Sequence, residues 1–181
     1  MSGSVDLELA RWIADHRISP LTRVFHGMEA VGESFVAFAI AGLVGLLVVA
    51  RLRLWWGLPR IALAVGLMAV ISGDLKERID RPRPPAELAV SHLSGPGMPS
   101  SHACLTSVVV TAVLLTPWWT SARLRRIAVL LGVGGCLIVG VAMIYLGGHW
   151  LSDVLVGWAV GVGLAVLAVS VRPQRRRVQP A

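Results

Sequence analysis

The chain has 181 residues, of which 55% are hydrophobic and only 15% charged, with a mean hydropathy of +0.72. That excludes an ordinary water-soluble domain and leaves length for one compact membrane domain. The net charge of +7 and pI near 11.2 are values shared with nucleic-acid binders. Here, however, the basic residues flank apolar segments, where they serve as topology signals and contacts to anionic lipid, so no nucleic-acid partner is expected.

Residues 1–33 come first and differ in pattern from the apolar stretches that follow. Leu7, Leu9, Trp12, Ile13 and Ile18 alternate with Asp6, Glu8, Arg11, Asp15 and Arg17. The pattern predicts an amphipathic helix lying in the membrane interface with its charges toward water, and a second short helix around residues 21–30. A basic start and an apolar centre, the marks of a cleavable signal peptide, are missing.

Five uncharged stretches follow, at residues 34–50, 61–73, 103–122, 127–148 and 154–171. A spanning helix needs about 20 mainly apolar residues, with a range of roughly 17 to 25. Four stretches meet this alone. Leu58 and Pro59 lengthen the other, with Arg60 free to snorkel to the headgroups. Lipid offers the backbone no hydrogen-bond partner, so each is expected to be helical. The expected fold is all-α: a polytopic membrane bundle of about five transmembrane helices plus an N-terminal interfacial helix. Cys104 and Cys136 both fall inside apolar helices and read as structural thiols, with no disulfide. HExxH, CxxC and acidic clusters of metal-ligand type are absent from the sequence, so neither a metal nor another cofactor is expected.

Charge then orients the bundle. Residues 51–60 hold three arginines and no acid, Arg123, Arg125 and Arg126 separate the third and fourth spans, and the tail 172–181 carries Arg172, Arg175, Arg176 and Arg177. Basic residues favour cytoplasmic loops, and five spans put these three segments on one side. The first 33 residues, with five acids against three arginines, fit the other side. Three polar patches then share the outer face: residues 76–84, Pro99-Ser100-Ser101-His102, and the segment 149–153.

Those patches carry phosphate chemistry. The third and fifth spans both begin at the outer face, and a helix N-terminus offers free N–H groups and partial positive charge to an anion. Ser100 and Ser101 suit a helix cap there. His149 and Asp153 are four apart, which on a helix places them on one face. A carboxylate on one imidazole nitrogen fixes the tautomer and leaves the other as a nucleophile or base. His102 is available to protonate a leaving oxygen. Lys76, Arg78, Arg81 and Arg83 lie on the outer side against the topology rule, and phosphoryl oxygens supply a reason for them. Pro82, Pro84 and Pro85 stiffen that segment.

Taken together, these patches resemble the type 2 phosphatidic acid phosphatase (PAP2) superfamily. Lys76 with Arg83-Pro84 matches its first motif, Lys, six residues, then Arg-Pro. Pro99-Ser100-Ser101-His102 matches Pro-Ser-Gly-His with serine for glycine. His149 and Asp153 match the end of Ser-Arg, five residues, His, three residues, Asp, while Ala142 and Met143 occupy the Ser-Arg positions. The resemblance divides the chain into an interfacial segment (1–32), a PAP2-like transmembrane phosphatase domain (33–171) and a basic cytoplasmic tail (172–181). It implies a metal-independent lipid phosphatase with its site on the extracytoplasmic face. His149 would form a phosphohistidine, oriented by Asp153, and His102 would serve the leaving oxygen and then water. Lys76, Arg83, Ser100 and Ser101 would hold the phosphate, with Arg78 or Arg81 compensating for the arginine missing at Met143. The substrate would be a polyprenyl or glycerolipid phosphate or pyrophosphate. The alternative is a catalytically weak, phospholipid-binding member of the same family.

Overall fold

A computed structural model describes residues 4–91 and 93–171, so the basic tail lies outside the described residues. Within them the chain is helical: α1 (Ser4–Asp15), α2 (Ser19–Glu33), α3 (Phe35–Leu52), α4 (Leu58–Ile79), α5 (Ser101–Leu115), α6 (Ala122–Tyr145) and α7 (Leu151–Ser170). Short 3-10 turns lie at Trp55–Gly57 and Ala86–Leu88. Helices α4 and α7 flank α5, and α6 packs on α5.

The core follows from small residues. Ala64 and Met68 of α4, Cys104, Val108 and Ala112 of α5, and Leu164, Ala165 and Ala168 of α7 form one buried cluster. A Cβ at Gly161 would lie 2.1 Å from Ser107 Oγ and 2.5 Å from the Cys104 carbonyl, so glycine sets the close approach of α7 to α5. Small residues at helix contacts are how apolar helices associate where lipid removes the hydrophobic drive. Val70, Leu130 and Leu131 are each more than 70% exposed, an outer surface suited to acyl chains.

Among the described residues, three helical segments are long and apolar enough to cross a bilayer: Trp55–Ile79, Ala122–Tyr145 and Leu151–Ser170. The stretch 103–122 falls short of its expected length because α5 stops at Leu115. Pro117 disfavours helix at Thr116, whose hydroxyl folds back onto the Ala112 carbonyl at 2.7 Å.

The N-terminal segment forms two helices, and in α1 Glu8, Arg11 and Asp15 are exposed as expected, but Asp6 and Trp12 exchange their expected environments. Val5 and Trp12 are exposed, whereas Asp6 and Ala10 are buried against the bundle. Arg17, also expected in water, donates to the Tyr145 carbonyl at 2.9 Å and the Leu88 carbonyl at 2.6 Å. The Tyr145 hydroxyl accepts from the Ile18 N–H at 2.8 Å, pinning the α1–α2 turn. The two charges therefore hold the segment to the protein rather than to water.

Candidate active site

Four helix ends meet at one pole of the bundle. Helix α4 finishes at Ile79, and Asp80 in the left-handed region (φ 43°) turns the chain out of the helix. The following segment is tied down where Trp150 Nε1 donates to the Pro82 carbonyl at 2.9 Å. Helix α5 begins beside α7, with the Ser100 N–H donating to the Asp153 carbonyl at 3.1 Å. Ser100 is fully buried and caps α5, accepting from the Ala103 N–H at 3.4 Å; Ser101 is exposed on the first turn.

His149 arrives by a different route from the expected one. It precedes α7 and is not part of it: the turn after α6 needs a positive φ at Gly147 (74°), where a Cβ would also strike the Leu88 carbonyl at 2.5 Å. Asp153 sits in the first turn of α7, its Oδ2 accepting from the Trp150 N–H at 3.0 Å. His149 Nδ1 lies 3.6 Å from that same Oδ2, both groups buried, close but longer than a hydrogen bond. On its other side, Nε2 is 3.1 Å from Arg83 Nη1. Arginine only donates, so Nε2 accepts, and the imidazole proton belongs on Nδ1, facing the carboxylate.

Lys76 Nζ donates to the Pro96 carbonyl at 2.9 Å, and Arg83 donates to the carbonyls of Gly95 (2.9 Å), Ser94 (3.2 Å) and Gly148 (2.6 Å). Both cations are thus held by loop carbonyls around His149, an arrangement that an anion can exchange into. Burial most strongly lowers the proton affinity of His149; Asp153 opposes this, while Arg83 and Lys76 add to it, and the net direction is down. Burial also lowers the pKa of Arg83, against Asp153, Glu29 and Glu33.

His102, in the first turn of α5, stands beside Gly32 of α2, where a Cβ would come within 3.2 Å of Nε2. It borders a cavity of about 150 Å³ lined otherwise by Met28, Gly32, Leu105, Thr106, Val139, Ala142 and Met143. Met143 is 2% exposed, packed in an apolar cluster with Phe25, Ala103, Leu146 and Val154.

Two expected phosphate contacts are placed elsewhere. Arg78 pairs with Asp74 at 2.7 Å on the exposed surface of α4. Arg81 points behind Asp153, donating to Asp153 Oδ1 and Ser152 Oγ at 2.6 Å each and to Asp6 Oδ2 at 2.7 Å. Sequence reasoning missed Asp6 and Glu29, which accepts a short hydrogen bond from Ser91 Oγ. The signal for Asp6 was its place four residues before Ala10, on the buried stripe of α1. Among the described residues, no three His, Cys, Asp or Glu side chains form a metal-type cluster.

Comparison with known proteins fits this geometry. The PAP2 superfamily model matches residues 57–177. Phosphatidylglycerophosphatase B of Bacillus subtilis (strain 168) is 29% identical over 151 residues, 81% of this chain and 73% of that protein. The undecaprenyl-diphosphatase of Sulfolobus acidocaldarius is 25% identical over 174 residues, 92% of this chain and 78% of the other. Among solved structures, the transmembrane PAP2 type phosphatidylglycerolphosphate phosphatase from Bacillus subtilis superposes with a TM-score of 0.75 at 25% identity, covering 91% of this chain and 83% of that one. Aquifex aeolicus LpxE shares the fold, with a TM-score of 0.72 at 23% identity over 93% and 96% of the two chains. With its three apolar helices, the chain is a membrane protein.

Proposed function

The chain belongs to the PAP2 superfamily, and from that premise we propose that it is an integral membrane lipid phosphatase, acting on a polyprenyl or glycerolipid phosphate or pyrophosphate. One observation carries the mechanism: Nε2 of a buried, carboxylate-backed His149 faces Arg83 at 3.1 Å. The lone pair that would attack phosphorus and a cation that would hold its oxygens are already side by side.

In the first step the Nε2–P bond forms as the bond from phosphorus to the leaving oxygen breaks, and His102 gives that oxygen its proton. In the second, His102 takes a proton from water, whose oxygen joins phosphorus as the N–P bond breaks, releasing inorganic phosphate. Lys76, Arg83, Ser100 and the Ser101 N–H hold the phosphoryl oxygens, and removing one such donor typically costs on the order of 10²–10³ in rate. The chemistry needs no metal.

In the proposed topology, α3 to α7 are the five spans and α1–α2 lies at the outer interface. The site faces away from the cytoplasm and the C-terminus faces into it. Arg51, Arg53, Arg60, Arg123, Arg125 and Arg126 support this, since they flank the helix ends at the pole away from His149. Trp55, Trp56, Trp118 and Trp119 cluster at that pole as an interfacial belt would, with Trp56 and Trp118 edge to face at 6.4 Å. The weaker-catalyst reading is favoured by one observation, the burial of Met143 in apolar surroundings where the family has an arginine.

The test is phosphate release by purified protein from phosphatidate, phosphatidylglycerophosphate, farnesyl phosphate and farnesyl diphosphate, with and without EDTA. Release that survives chelation and disappears in His149→Ala is expected. Failure on all four lipids rejects the enzyme, and rescue of an EDTA-inhibited reaction by magnesium or zinc rejects the mechanism.

A further inference from the structure

Asp6 is an unusual residue for its place. It is 5% exposed, on a helix whose Val5 and Trp12 face outward. Its carboxylate receives Arg81 Nη2 at 2.7 Å, the Ser152 N–H at 3.1 Å and the Ser152 hydroxyl. Arg81, 11% exposed, uses Nη1 on Asp153 Oδ1 and lies over the Trp150 ring, 5.8 Å from its centroid. Two buried carboxylates thus share one guanidinium. A buried charge is kept only when paired, and here the pairing runs in a line from α1 to the residue behind His149.

The geometry fixes the plane of Asp153. Arg81 holds Oδ1, the Trp150 N–H holds Oδ2, and Oδ2 is then the oxygen presented to His149 Nδ1. A guanidinium bound to Asp153 alone would draw the carboxylate's charge to itself. Asp6 takes half of that guanidinium, so Asp153 keeps charge for the imidazole.

We propose that Asp6 and Arg81 are positioning residues for the His149–Asp153 pair, so that α1 is a working part of the catalytic apparatus as well as a membrane-surface helix. This rests on the reading of His149 as nucleophile. The charged groups facing His149 are Asp153 from α7, Arg83 from the segment after α4 and Lys76 from α4, with Glu29 and Glu33 of α2 acting on Arg83. Arg81 faces Asp6.

The experiment uses full-length protein in detergent micelles with ¹⁵N-labelled histidine: wild type, Asp6→Asn, Arg81→Met, the double variant and His149→Ala. Turnover of phosphatidate and farnesyl diphosphate is measured, and the His149 imidazole, identified by its loss in His149→Ala, is titrated by NMR. Asp6→Asn is expected to lower kcat by about 10-fold, to leave KM within about twofold because Asp6 does not touch phosphate, and to shift the His149 titration to lower pH. In the Arg81→Met background the same change is expected to be nearly silent. Unchanged histidine signals elsewhere report a retained fold. If Asp6→Asn does not fold, Asp6→Glu, which keeps the charge but displaces it by one methylene, is read in the same way. Wild-type kcat and titration in Asp6→Asn, or a full additional loss in the Arg81→Met background, overturns the proposal. A wild type inactive on both lipids, or an active His149→Ala, overturns the nucleophile reading instead, while the titration still decides whether Asp6 acts on His149.

Discussion

His149 can attack only with Nε2 unprotonated. Burial, then Arg83 and Lys76, hold its proton affinity below the ordinary value near 6.5, and Asp153 only partly restores it. The His149 step is therefore expected to be unimpeded above about pH 6.5 and lost as pH falls through the lower native value, while His102, which must carry a proton to serve the leaving oxygen, closes the profile on the alkaline side. Asp153→Asn removes a group that raises the affinity, so the acid limb of kcat/KM moves to still lower pH while kcat drops and a small residue of activity remains. An acid limb above 6.5, or one that moves upward in Asp153→Asn, contradicts the electrostatics. Met143 is the other decisive residue. Arg81 is engaged by two carboxylates and Arg78 by Asp74 at the surface, so neither is placed to replace the missing family arginine. Arg78→Ala should change kcat/KM by less than about twofold. Met143→Arg has a cavity of about 150 Å³ to enter beside His102. It should raise kcat/KM by roughly 10-fold or more while lowering Tm, because it buries a charge in an apolar cluster. No gain in kcat/KM would mean that charge at this position is not limiting.

At the scale of elements, the pairing of α5 with α7 sets the site, since the first turns of these helices carry Ser100, His102 and Asp153. Gly157 and Gly161 fix their spacing: a Cβ on Gly157 would lie 2.8 Å from the Ser100 carbonyl, at the turn that caps α5. Gly161→Val is expected to cost about 1–3 kcal/mol or more in stability by overpacking. Gly163→Val, where a Cβ meets nothing within 4 Å, should be nearly neutral. Equal Tm values for the two would contradict the close-approach argument. The apolar runs and the three polar patches were legible in the sequence, because hydropathy and the chemistry of a histidine, an arginine or a proline are local properties. The burial of Asp6 was not: it has the chemistry of a water-facing residue, and only partners far along the chain, Arg81 and Ser152, make its burial favourable. The placement of His149 before α7 was hidden for a related reason, since a spacing of four fits a helix face and equally a turn leading into a helix cap. The early end of α5 has its local cause at Pro117, but an uncharged proline does not interrupt a stretch defined by the absence of charge.

For the whole molecule, charge and aromatic residues divide the two poles. A reporter fused after Arg177 should be cytoplasmic, and a tag between residues 87 and 97 should be reached from outside intact cells. Finding both on one side would break the five-span arrangement. Helix α5 then imposes a depth. Its 15 residues rise about 22 Å, against a hydrocarbon layer of about 30 Å. In the proposed topology α5 is therefore about 8 Å shorter than that layer, and His102 in its first turn is expected to sit below the outer headgroup plane. Hydrophobic mismatch therefore becomes part of the reaction: either the outer leaflet dimples over the bundle or the lipid's phosphate is pulled down into it. Both demands grow with acyl-chain length. In reconstituted vesicles, kcat/KM should fall several-fold between lipids of about 14 and about 22 carbons per chain, while EDTA-insensitivity and the acid limb stay unchanged. A rate independent of bilayer thickness would mean that His102 lies level with the membrane surface.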